Sequence, residues 1–399
     1  MFDGSILVIN TGSSSLKFGL YVGQEGDDEP VLDGSADGIA SGNGKLELRD
    51  SQGRVVRSEA LSFASQGDAL DHASQWIKEF SPSEPIAVGH RVVHGGPRLL
   101  THQLITPEVI TGLKACLHLA PLHIPLALEL IERAERAYPK TPQFACFDTA
   151  FHRTMPEATA RFALPRELFD EGIRRYGFHG LSYESIVHQL GHQAGAGIPS
   201  RTVIAHLGNG ASLAAVKDGR SMDTTMGLTP AGGIPMATRC GDLDPGVFLY
   251  LQRMKHMSPD SLERLLNHDS GLTALSGGMG DMRDLEVAAD GGNPEAHLAI
   301  EVFSTAIRKV IAAYAAVLGG IDMLVFSGGI GEHSARIRGD VCKGLGFLGI
   351  SIDDASNKTH QSAISTKDST IRVCIAPSQE DRQIARHCRE MMRGSVAGE

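Results

Sequence analysis

The sequence lacks several of the patterns by which protein classes are recognised. Its six cysteines are scattered, and no two of them have the Cys-x2-Cys spacing of a zinc or redox site. No run of apolar residues approaches the roughly 20 that a membrane-spanning helix needs. No segment near the start has the length or the flanking residues of a signal peptide. We therefore expect reduced thiols, a cytoplasmic location and no membrane partner.

The sequence also has no excess of basic residues. It contains 37 Lys and Arg against 47 Asp and Glu, which gives a net charge of −10 at pH 7. An acidic chain is a poor candidate for binding nucleic acid, so we attribute the charge to solubility and expect no nucleic-acid partner. Hydrophobic residues make up 42% of the chain, an ordinary share for a globular enzyme. Because 399 residues are too many for one ordinary core, two domains are expected.

A turn rich in glycine and hydroxyl groups follows the first apolar run. Residues 5–9 predict a buried strand, and Gly12 allows the backbone to turn tightly and to approach a ligand. The serines at 13–15 supply hydroxyl donors and Lys17 supplies positive charge, which together outline a phosphate-binding turn. The P-loop pattern Gly-x4-Gly-Lys-Ser/Thr is absent from this turn.

This turn has an echo later in the chain, where residues 209–213 (NGASL) resemble residues 12–16 (GSSSL). Each segment follows an apolar strand and precedes a second strand that ends near a glycine. Two hairpins related in this way suggest a duplicated domain, with a nucleotide between the two halves. From the residues alone, the alternative is that two glycine-rich turns look alike by chance.

Hydrophobic periodicity and capping residues predict further elements. The pattern Asn293-Pro294-Glu295 predicts a helix start, and that helix should run to Leu318 and stop at the two glycines that follow. A glycine-rich turn is predicted over residues 327–332. The other predicted elements are helices over residues 68–80, 125–138 and 380–392 and strands over residues 86–88, 144–147, 202–207 and 322–326.

Four polar residues have the chemistry that phosphoryl transfer needs, which is mainly positioning and positive charge. Arg91 and Arg239 could each pair with a carboxylate or a phosphate, although most arginines form surface salt bridges. Asp148 follows the strand predicted over residues 144–147, where it could hold a metal or a nucleophile, or cap a helix. His179 stands among glycines and arginines, whereas a lone histidine is usually structural.

Two segments together resemble the signatures of acetate kinases: residues 5–17 and residues 89–96, which read GHRVVHGG. The resemblance recurs from about residue 5 to about residue 385. It implies the α/β fold of the actin, Hsp70 and sugar-kinase superfamily, with two duplicated actin-like (ribonuclease H-like) domains and a nucleotide cleft between them. The implied N-terminal domain spans residues 1–149 and is completed by a helix at about 381–399, and the nucleotide-binding domain spans residues 150–380.

The resemblance also implies a role for each polar candidate. Arg91 and Arg239 match the family's two active-site arginines, which bind the acyl carboxylate and the transferring phosphoryl group. His179 matches the histidine that contacts the phosphoryl group in the transition state. The motif Phe-Asp-Thr-Ala-Phe-His is unaltered here and makes Asp148 catalytic. Because acetate is already ionised at neutral pH, we assign Asp148 a positioning or metal-linked role and not proton abstraction.

The remaining site residues follow from the same resemblance. Asn10 and Glu380 would hold Mg²⁺, for which Mn²⁺ can substitute. The acyl group would contact Arg91 and the apolar residues Val93, Leu122, Phe178 and Pro230. The nucleotide would contact the glycine-rich turns and a second loop, at Lys17, His206, Gly208, Asn209, Gly210, Asp281, Met282, Arg283, Gly329, Ile330, Gly331 and His333.

Some positions depart from the usual family pattern. Ile124, Leu181, Tyr183 and Gly232 stand where the family usually has Asn, Thr, His and Glu. Three of these changes remove a polar group near the implied site, whereas the residues that touch phosphoryl and carboxylate groups are kept. The acyl preference and the dimer contacts are the properties that these changes would affect.

The resemblance implies a homodimeric kinase that transfers a phosphoryl group reversibly from ATP to acetate, by direct in-line attack, and yields acetyl phosphate and ADP. Two alternatives remain open. One is a kinase of the same family that acts on propionate or butyrate, and the other is a nucleotide-binding protein of the same fold without activity. A sugar kinase is disfavoured, because the resemblance runs through both arginines and His179.

Overall fold

The structure is a computed structural model that describes residues 4–12, 15–23, 29–39, 42–81, 83–121, 123–193 and 198–396. Ser13, Ser14 and Leu122, which the sequence analysis placed in the site, lie outside these residues. The strands are β1 (Ile6–Thr11), β2 (Ser15–Val22), β3 (Glu29–Asp37), β4 (Gly44–Asp50), β5 (Val55–Leu61), β6 (Ala87–Val92), β7 (Gln103–Leu104), β8 (Gln143–Phe147), β9 (Arg201–Leu207), β10 (Ala211–Lys217), β11 (Arg220–Thr224), β12 (Met323–Ser327) and β13 (Arg372–Ile375).

The helices are more numerous in the second half of the chain. They are α1 (Gln66–Phe80), α2 (Pro107–Ala115), α3 (Ile124–Ala137), α4 (Glu157–Ala160), α5 (Arg166–Asp170), α6 (Gly180–Gln193), α7 (Pro245–Met254), α8 (Pro259–His268), α9 (Gly271–Leu275), α10 (Met282–Asp290), α11 (Pro294–Leu318), α12 (Gly328–His333), α13 (Ala335–Lys343), α14 (Asp354–Lys358) and α15 (Glu380–Val396), with short 3₁₀ turns at Leu117–Leu119, Ala150–Thr154 and Gly346–Leu348. Within the described ranges no helix is both long and apolar enough to cross a membrane.

The chain divides into two compact units, each built on one sheet. The first unit comprises Met1–Ala150, Gly180–Ser185 and Gln379–Glu399, and the second comprises Phe151–His179 and Ile186–Ser378. The strand order is β5-β4-β3-β2-β1-β6-β8-β7 in the first sheet and β11-β10-β9-β12-β13 in the second.

The two sheets repeat one topology. In the first, β3, β2 and β1 pair antiparallel and β1, β6 and β8 continue in parallel. In the second, β11, β10 and β9 are antiparallel and β9, β12 and β13 are parallel. The mixed α/β class with two sheets is confirmed, and the shared strand order agrees with the duplication that the repeated turn suggested.

Strand β1 of the first sheet is buried on both faces, which explains why it reads as a continuous apolar run. Leu7 and Ile9 face a core that includes Trp76 of α1. Ile6 and Val8 face the opposite core, to which α15 contributes its apolar side chains. Because successive side chains of a strand point to opposite faces, one short segment serves both cores.

Strand β6 is longer than the sequence predicted. The strand predicted over residues 86–88 runs through Val92, so that His90 and Arg91 lie within it and do not follow it. Pairing with β1 on one side and β8 on the other holds this segment extended. Gly89 is required there, because a Cβ would lie 2.5 Å from Ile384 Cγ2 and 2.7 Å from Cys388 Sγ on α15.

A second correction concerns the glycine-rich segment after β12. The sequence predicted a turn, whereas Gly328–His333 form the short helix α12. Gly328 has φ +74°, and a Cβ there would lie 2.7 Å from the carbonyl oxygen of Leu207. The glycine therefore allows the chain to leave β12 close to the end of β9 and to begin a helix at once.

The predicted ends of the longest helix are confirmed. The Asn293 side chain accepts hydrogen bonds from the backbone N–H groups of Glu295 and Ala296 at the start of α11. Gly319 ends the helix in the left-handed region, with φ +72°. Its N–H donates to the carbonyl oxygens of Ala315 and Ala316, and the next N–H, of Gly320, donates to Ala315 O at 2.7 Å.

We expect Gly319→Ala to lower the free energy of unfolding by about 1 kcal/mol, because an L side chain is strained at positive φ. A Cβ at this position meets nothing within 4 Å, so the loss would report backbone strain and not a clash. Urea denaturation would measure it. Gly346→Ala is the matched control, since Gly346 also has open space and no positive φ. Equal effects of the two substitutions would contradict the prediction.

Candidate active site

One edge of the first sheet collects a buried arginine and three carboxylates. Arg91 lies near the end of β6, Asn10 lies near the end of β1, and Asp148 follows β8 directly. These three strands are parallel, so their carboxyl ends meet at the same edge. Helix α15 begins with Glu380 and Asp381, which lie beside Asn10.

Arg91 is the centre of this group. Its Nε and Nη2 donate to Asp148 Oδ2 at 3.0 and 2.7 Å, and its Nη1 donates to Asn10 Oδ1 at 3.1 Å. The same Nη1 lies 3.7 Å from Glu380 Oε2. A guanidinium fixed in this way has one orientation, which suits it to bind an anion at a defined place.

Burial shifts the pKa values of the group. The Asp148 side chain is 1% exposed, and this burial raises the pKa of its carboxyl to about 6, although Arg91 opposes the rise. Burial likewise raises the pKa of Asp381, against the hydrogen bond from Asn10. For Arg91 burial acts against the charge, but Asp148 and Glu380 outweigh it and raise the pKa of the guanidinium.

The residues fit a small divalent cation. Asp148 Oδ1 is buried and has no hydrogen-bond partner among the described residues, so one carboxylate oxygen has an unused lone pair. Asn10 Nδ2 donates to Asp381 Oδ1 at 2.7 Å and to Glu380 Oε2 at 3.2 Å, which keeps these carboxylates close together. Oxygen ligands of this kind are those that Mg²⁺ binds, usually through one or two carboxylates.

Asp381 is a site residue that the sequence analysis missed. Only Glu380 was predicted there, although both residues form the acidic first turn of α15. The structure buries Asp381 against Asn10, whose paired residue in β2 is Lys17. Lys17, a predicted nucleotide ligand, is exposed on β2 of the first unit, and its charge acts to lower the pKa of Asp381.

The second unit has its own group around the turn between β9 and β10. Gly210 lies between two predicted catalytic side chains, since a Cβ there would be 3.3 Å from His179 Nε2 and 3.4 Å from Arg239 Nη1. The same Arg239 nitrogen donates to the carbonyl oxygen of Pro230 at 3.2 Å. The structure therefore brings together His179, Arg239 and the predicted nucleotide turn.

His179 is held in a strained conformation. Its φ of +58° is unusual for a residue other than glycine. Its Nδ1 shares a hydrogen bond of 2.9 Å with Ser212 Oγ, and its ring stacks on His206 at 4.3 Å between centroids. Ser212 was not singled out from the sequence, although it stands in the repeated segment that drew attention to the turn.

The two glycine-rich segments of the second unit are neighbours. His206 at the end of β9 is paired with Ser327 at the end of β12. A Cβ on Gly208 would lie 3.9 Å from the backbone nitrogen of Gly329, which itself has open space where a side chain would be. Because β9 and β12 are parallel, both segments leave the sheet at the same edge.

The other predicted nucleotide ligands differ in their exposure to solvent. Asp281 caps α10 and pairs with Arg283, whose side chain is 88% exposed, whereas Met282 is buried in the core. His333 is exposed at the end of α12. Ala237 links this loop to the nucleotide turn: its N–H donates to Asn209 O at 3.1 Å, and a Cβ on Gly280 would lie 3.6 Å from its carbonyl oxygen. Asp281 directly follows Gly280 and therefore lies near the turn that contains Asn209.

The remaining predicted contacts differ in exposure. Phe178 is buried, and its carbonyl oxygen hydrogen-bonds to His152 Nε2 at 3.0 Å. Val93 and Pro230 are partly exposed. Among the departures from the family pattern, three are buried in the first unit, namely Ile124, Leu181 and Tyr183. These three side chains therefore act first as packing residues.

Comparison with known proteins agrees with the motifs. The model of the acetokinase family matches residues 5–386 of the chain. Acetate kinase of Methylocella silvestris is 44% identical over 393 residues, which cover 96% of each chain. Acetate kinase of Rhodopseudomonas palustris is 45% identical and covers 96% of this chain and 97% of its own. The chain therefore belongs to the acetokinase family, as its two signatures predicted.

Solved structures give the same result for the fold. A propionate kinase from Francisella tularensis has a TM-score of 0.89 and 37% identity, covering 96% of this chain and 98% of its own. Acetate kinase of Porphyromonas gingivalis has a TM-score of 0.87 and 35% identity, covering 98% and 100%. Membership of the family makes the protein a phosphotransferase with a carboxyl group as acceptor.

We expect Gly210→Ala to lower turnover by roughly tenfold, because the new methyl group would displace His179 and Arg239 by a few tenths of an ångström. Thermal stability should change little, since Gly210 has no positive φ. Steady-state kinetics and a melting curve would test this. Gly339→Ala is the control, because a Cβ there meets its nearest atom only at 3.8 Å. Turnover equal to that of the control would contradict the prediction.

Proposed function

We propose that the protein is an acetate kinase that transfers a phosphoryl group reversibly from ATP to acetate and yields acetyl phosphate and ADP. The observation that carries the proposal is the orientation of Arg91, which hydrogen bonds to Asp148 and Asn10 hold in place. All three residues stand in sequence motifs of the family. Such an arginine can hold a carboxylate or a transferring phosphoryl group in one orientation. Transfer then depends mainly on positioning and on stabilising charge at the phosphoryl oxygens.

The chain's residues divide the work. Arg91 orients the acceptor carboxylate and is itself oriented by Asp148, so no general base is required for an acceptor that is already ionised. His179 and Arg239 donate to the phosphoryl oxygens as charge develops on them. The backbone and side chain of Asn209, with Gly208 and Gly210, hold the nucleotide phosphates. In-line attack is the geometry that this transfer would require of acceptor and donor.

The proposal includes Mg²⁺, with Mn²⁺ as a substitute. Asp148, Glu380 and Asp381 would hold the ion together with Asn10, in part through water, as Mg²⁺ keeps much of its hydration. The ion would neutralise charge on the nucleotide phosphates. The unpaired Asp148 Oδ1 supports this assignment, since a buried carboxylate oxygen usually has a partner.

Propionate is a second candidate acceptor. The structural similarity to a propionate kinase favours it. The acyl group is proposed to contact Val93, Leu122, Phe178 and Pro230. Apolar walls discriminate weakly, because one methylene is worth only about 1–3 kcal/mol in such a pocket.

We further propose a homodimer in the cytoplasm. Helices α7 and α8 have no buried residues, and α7 exposes Phe248, Leu249, Tyr250 and Met254. Four large apolar side chains on one exposed helix support a surface that a second copy covers. The six cysteines are free thiols in the structure, which supports a reducing compartment.

Purified protein with Mg-ATP should form acyl phosphate from acetate, detected as the hydroxamate, and less or comparable product from propionate and butyrate. Arg91→Lys should lower kcat by roughly 100-fold, because the bidentate geometry is lost while the charge is kept. Arg54→Lys is the control at an exposed arginine outside the site and should affect turnover little. Chelation of Mg²⁺ should abolish product. No product from any acid, while ATP still binds, would favour the non-catalytic alternative.

We expect kcat/KM to fall as the pH drops through about 6, because burial raises the pKa of Asp148 to about 6 and the protonated form no longer holds Arg91 as an ion pair. The slope below that value should approach tenfold per pH unit. Rates between pH 5 and pH 8 at constant ionic strength would measure it. His179→Gln should keep the acid limb at a lower rate, and a limb that vanished in this variant would assign it to His179.

A further inference from the structure

A buried cluster of charged groups lies in the first unit beside the candidate active site, and the proposed function does not use it. It consists of His102, Glu184 and His387, whose side chains are 10%, 14% and 15% exposed. His102 Nε2 and His387 Nε2 lie 3.1 and 2.8 Å from the same oxygen, Glu184 Oε2. The two imidazole rings are 4.1 Å apart between centroids. We call this group the histidine–glutamate cluster.

The cluster has the composition of a metal site, but its hydrogen bonds indicate otherwise. The backbone N–H of Phe147 donates to His102 Nδ1 at 3.0 Å. A neutral imidazole that accepts at Nδ1 carries its proton on Nε2, and this nitrogen then donates to Glu184. Nε2 of His102 therefore has no lone pair to offer a metal. The cluster is a hydrogen-bonded relay that begins at the backbone of β8.

The groups that the relay joins are those that support the acidic site. Phe147 directly precedes Asp148, and the carbonyl oxygen of Asp148 accepts from Gly180 N at 2.9 Å. Helix α6 begins at Gly180 and carries Glu184 in its second turn. His387 lies on α15, two helical turns beyond Glu380. The relay thus connects the end of β8, the start of α6 and helix α15.

We propose that the histidine–glutamate cluster is a positioning device for the transfer reaction, which holds the backbone at Asp148 and helix α15 in register so that the carboxylates keep their places around Arg91. This inference rests on the proposed function. His102, Glu184 and His387 are positioning residues, since they act on the site through Phe147 and through α15. The substrate class is unchanged by the proposal.

The charges of the cluster support a fixed arrangement. Burial acts to raise the pKa of Glu184, but hydrogen bonds from His102 and His387 outweigh it and hold this pKa below its ordinary value. Burial acts to lower the pKa of His387, whereas Glu184 and Glu390 raise it to about 9. Near neutral pH, Glu184 is then ionised and His387 is protonated, and His387 Nδ1 lies 3.3 Å from Glu390 Oε2. A buried ion pair in contact with such partners resists displacement.

Three substitutions of His102 test the proposal, because Asn and Gln each keep one end of the relay. In His102→Asn the amide oxygen can replace Nδ1 and accept from Phe147, while the link to Glu184 is lost. In His102→Gln the amide nitrogen can replace Nε2 and reach Glu184, while the link to Phe147 is lost. His102→Ala removes both links.

We expect His102→Ala and His102→Gln to lower kcat by roughly tenfold or more, and His102→Asn to recover most of that loss. KM for ATP should change less than kcat, because most of the predicted nucleotide ligands lie in the second unit. Hydrogen exchange of the peptide over residues 143–150 should be faster in the Ala and Gln variants and near wild type in the Asn variant. This readout does not depend on catalysis.

A kcat of folded His102→Ala within twofold of wild type would overturn the proposal, as would an Asn variant that behaves like the Ala variant. Glu184→Gln provides a second test if His102→Ala does not fold, and it should lower kcat more than it changes KM for ATP. Stoichiometric zinc in the purified protein would also overturn the relay. An inactive wild-type protein would instead refute the proposed function, and hydrogen exchange would still report on the cluster.

Discussion

The buried charge of Arg91 is the constraint on which the rest of the site depends. Removing a guanidinium from water is costly unless carboxylates and hydrogen-bond acceptors surround it. The chain meets this need from three places that are distant in sequence: Asn10 on β1, Asp148 after β8, and Glu380 with Asp381 on α15. The strand order of the first sheet follows the same requirement, because β1, β6 and β8 must be neighbours for these groups to meet.

The duplicated topology places one cluster of polar residues in each unit, and the two clusters differ in chemistry. In both sheets an antiparallel hairpin precedes parallel strands, and a glycine-containing turn closes the hairpin. Gly12 N donates to Ser15 O in the first unit, and Gly208 N donates to Gly210 O in the second. The two turns are similar in sequence, but their surroundings differ. Carboxylates gather near the first, whereas His179 and Arg239 gather at the second.

The sequence predicted the parts of the molecule that depend on short segments. The cap at Asn293 and the stop at Gly319 were visible because a helix end needs particular residues at adjacent positions. Asp381 was missed because the sequence does not show which of two neighbouring acidic residues at a helix start faces the site. The histidine–glutamate cluster could not be predicted, since nothing local connects His102 to residues on α6 and α15.

The packing of α15 on Gly89 determines how late in synthesis the first unit can be completed. The missing side chain lets α15 pack on β6, and the same helix covers Ile6 and Val8 and brings two carboxylates to Arg91. The ribosome must synthesise the whole second unit between Ala150 and Gln379 before this helix emerges. Until then, one face of the first sheet is bare and the arginine lacks part of its counter-charge. The nascent first unit therefore exposes apolar surface that promotes aggregation, and its completion depends on contacts between residues far apart in the sequence.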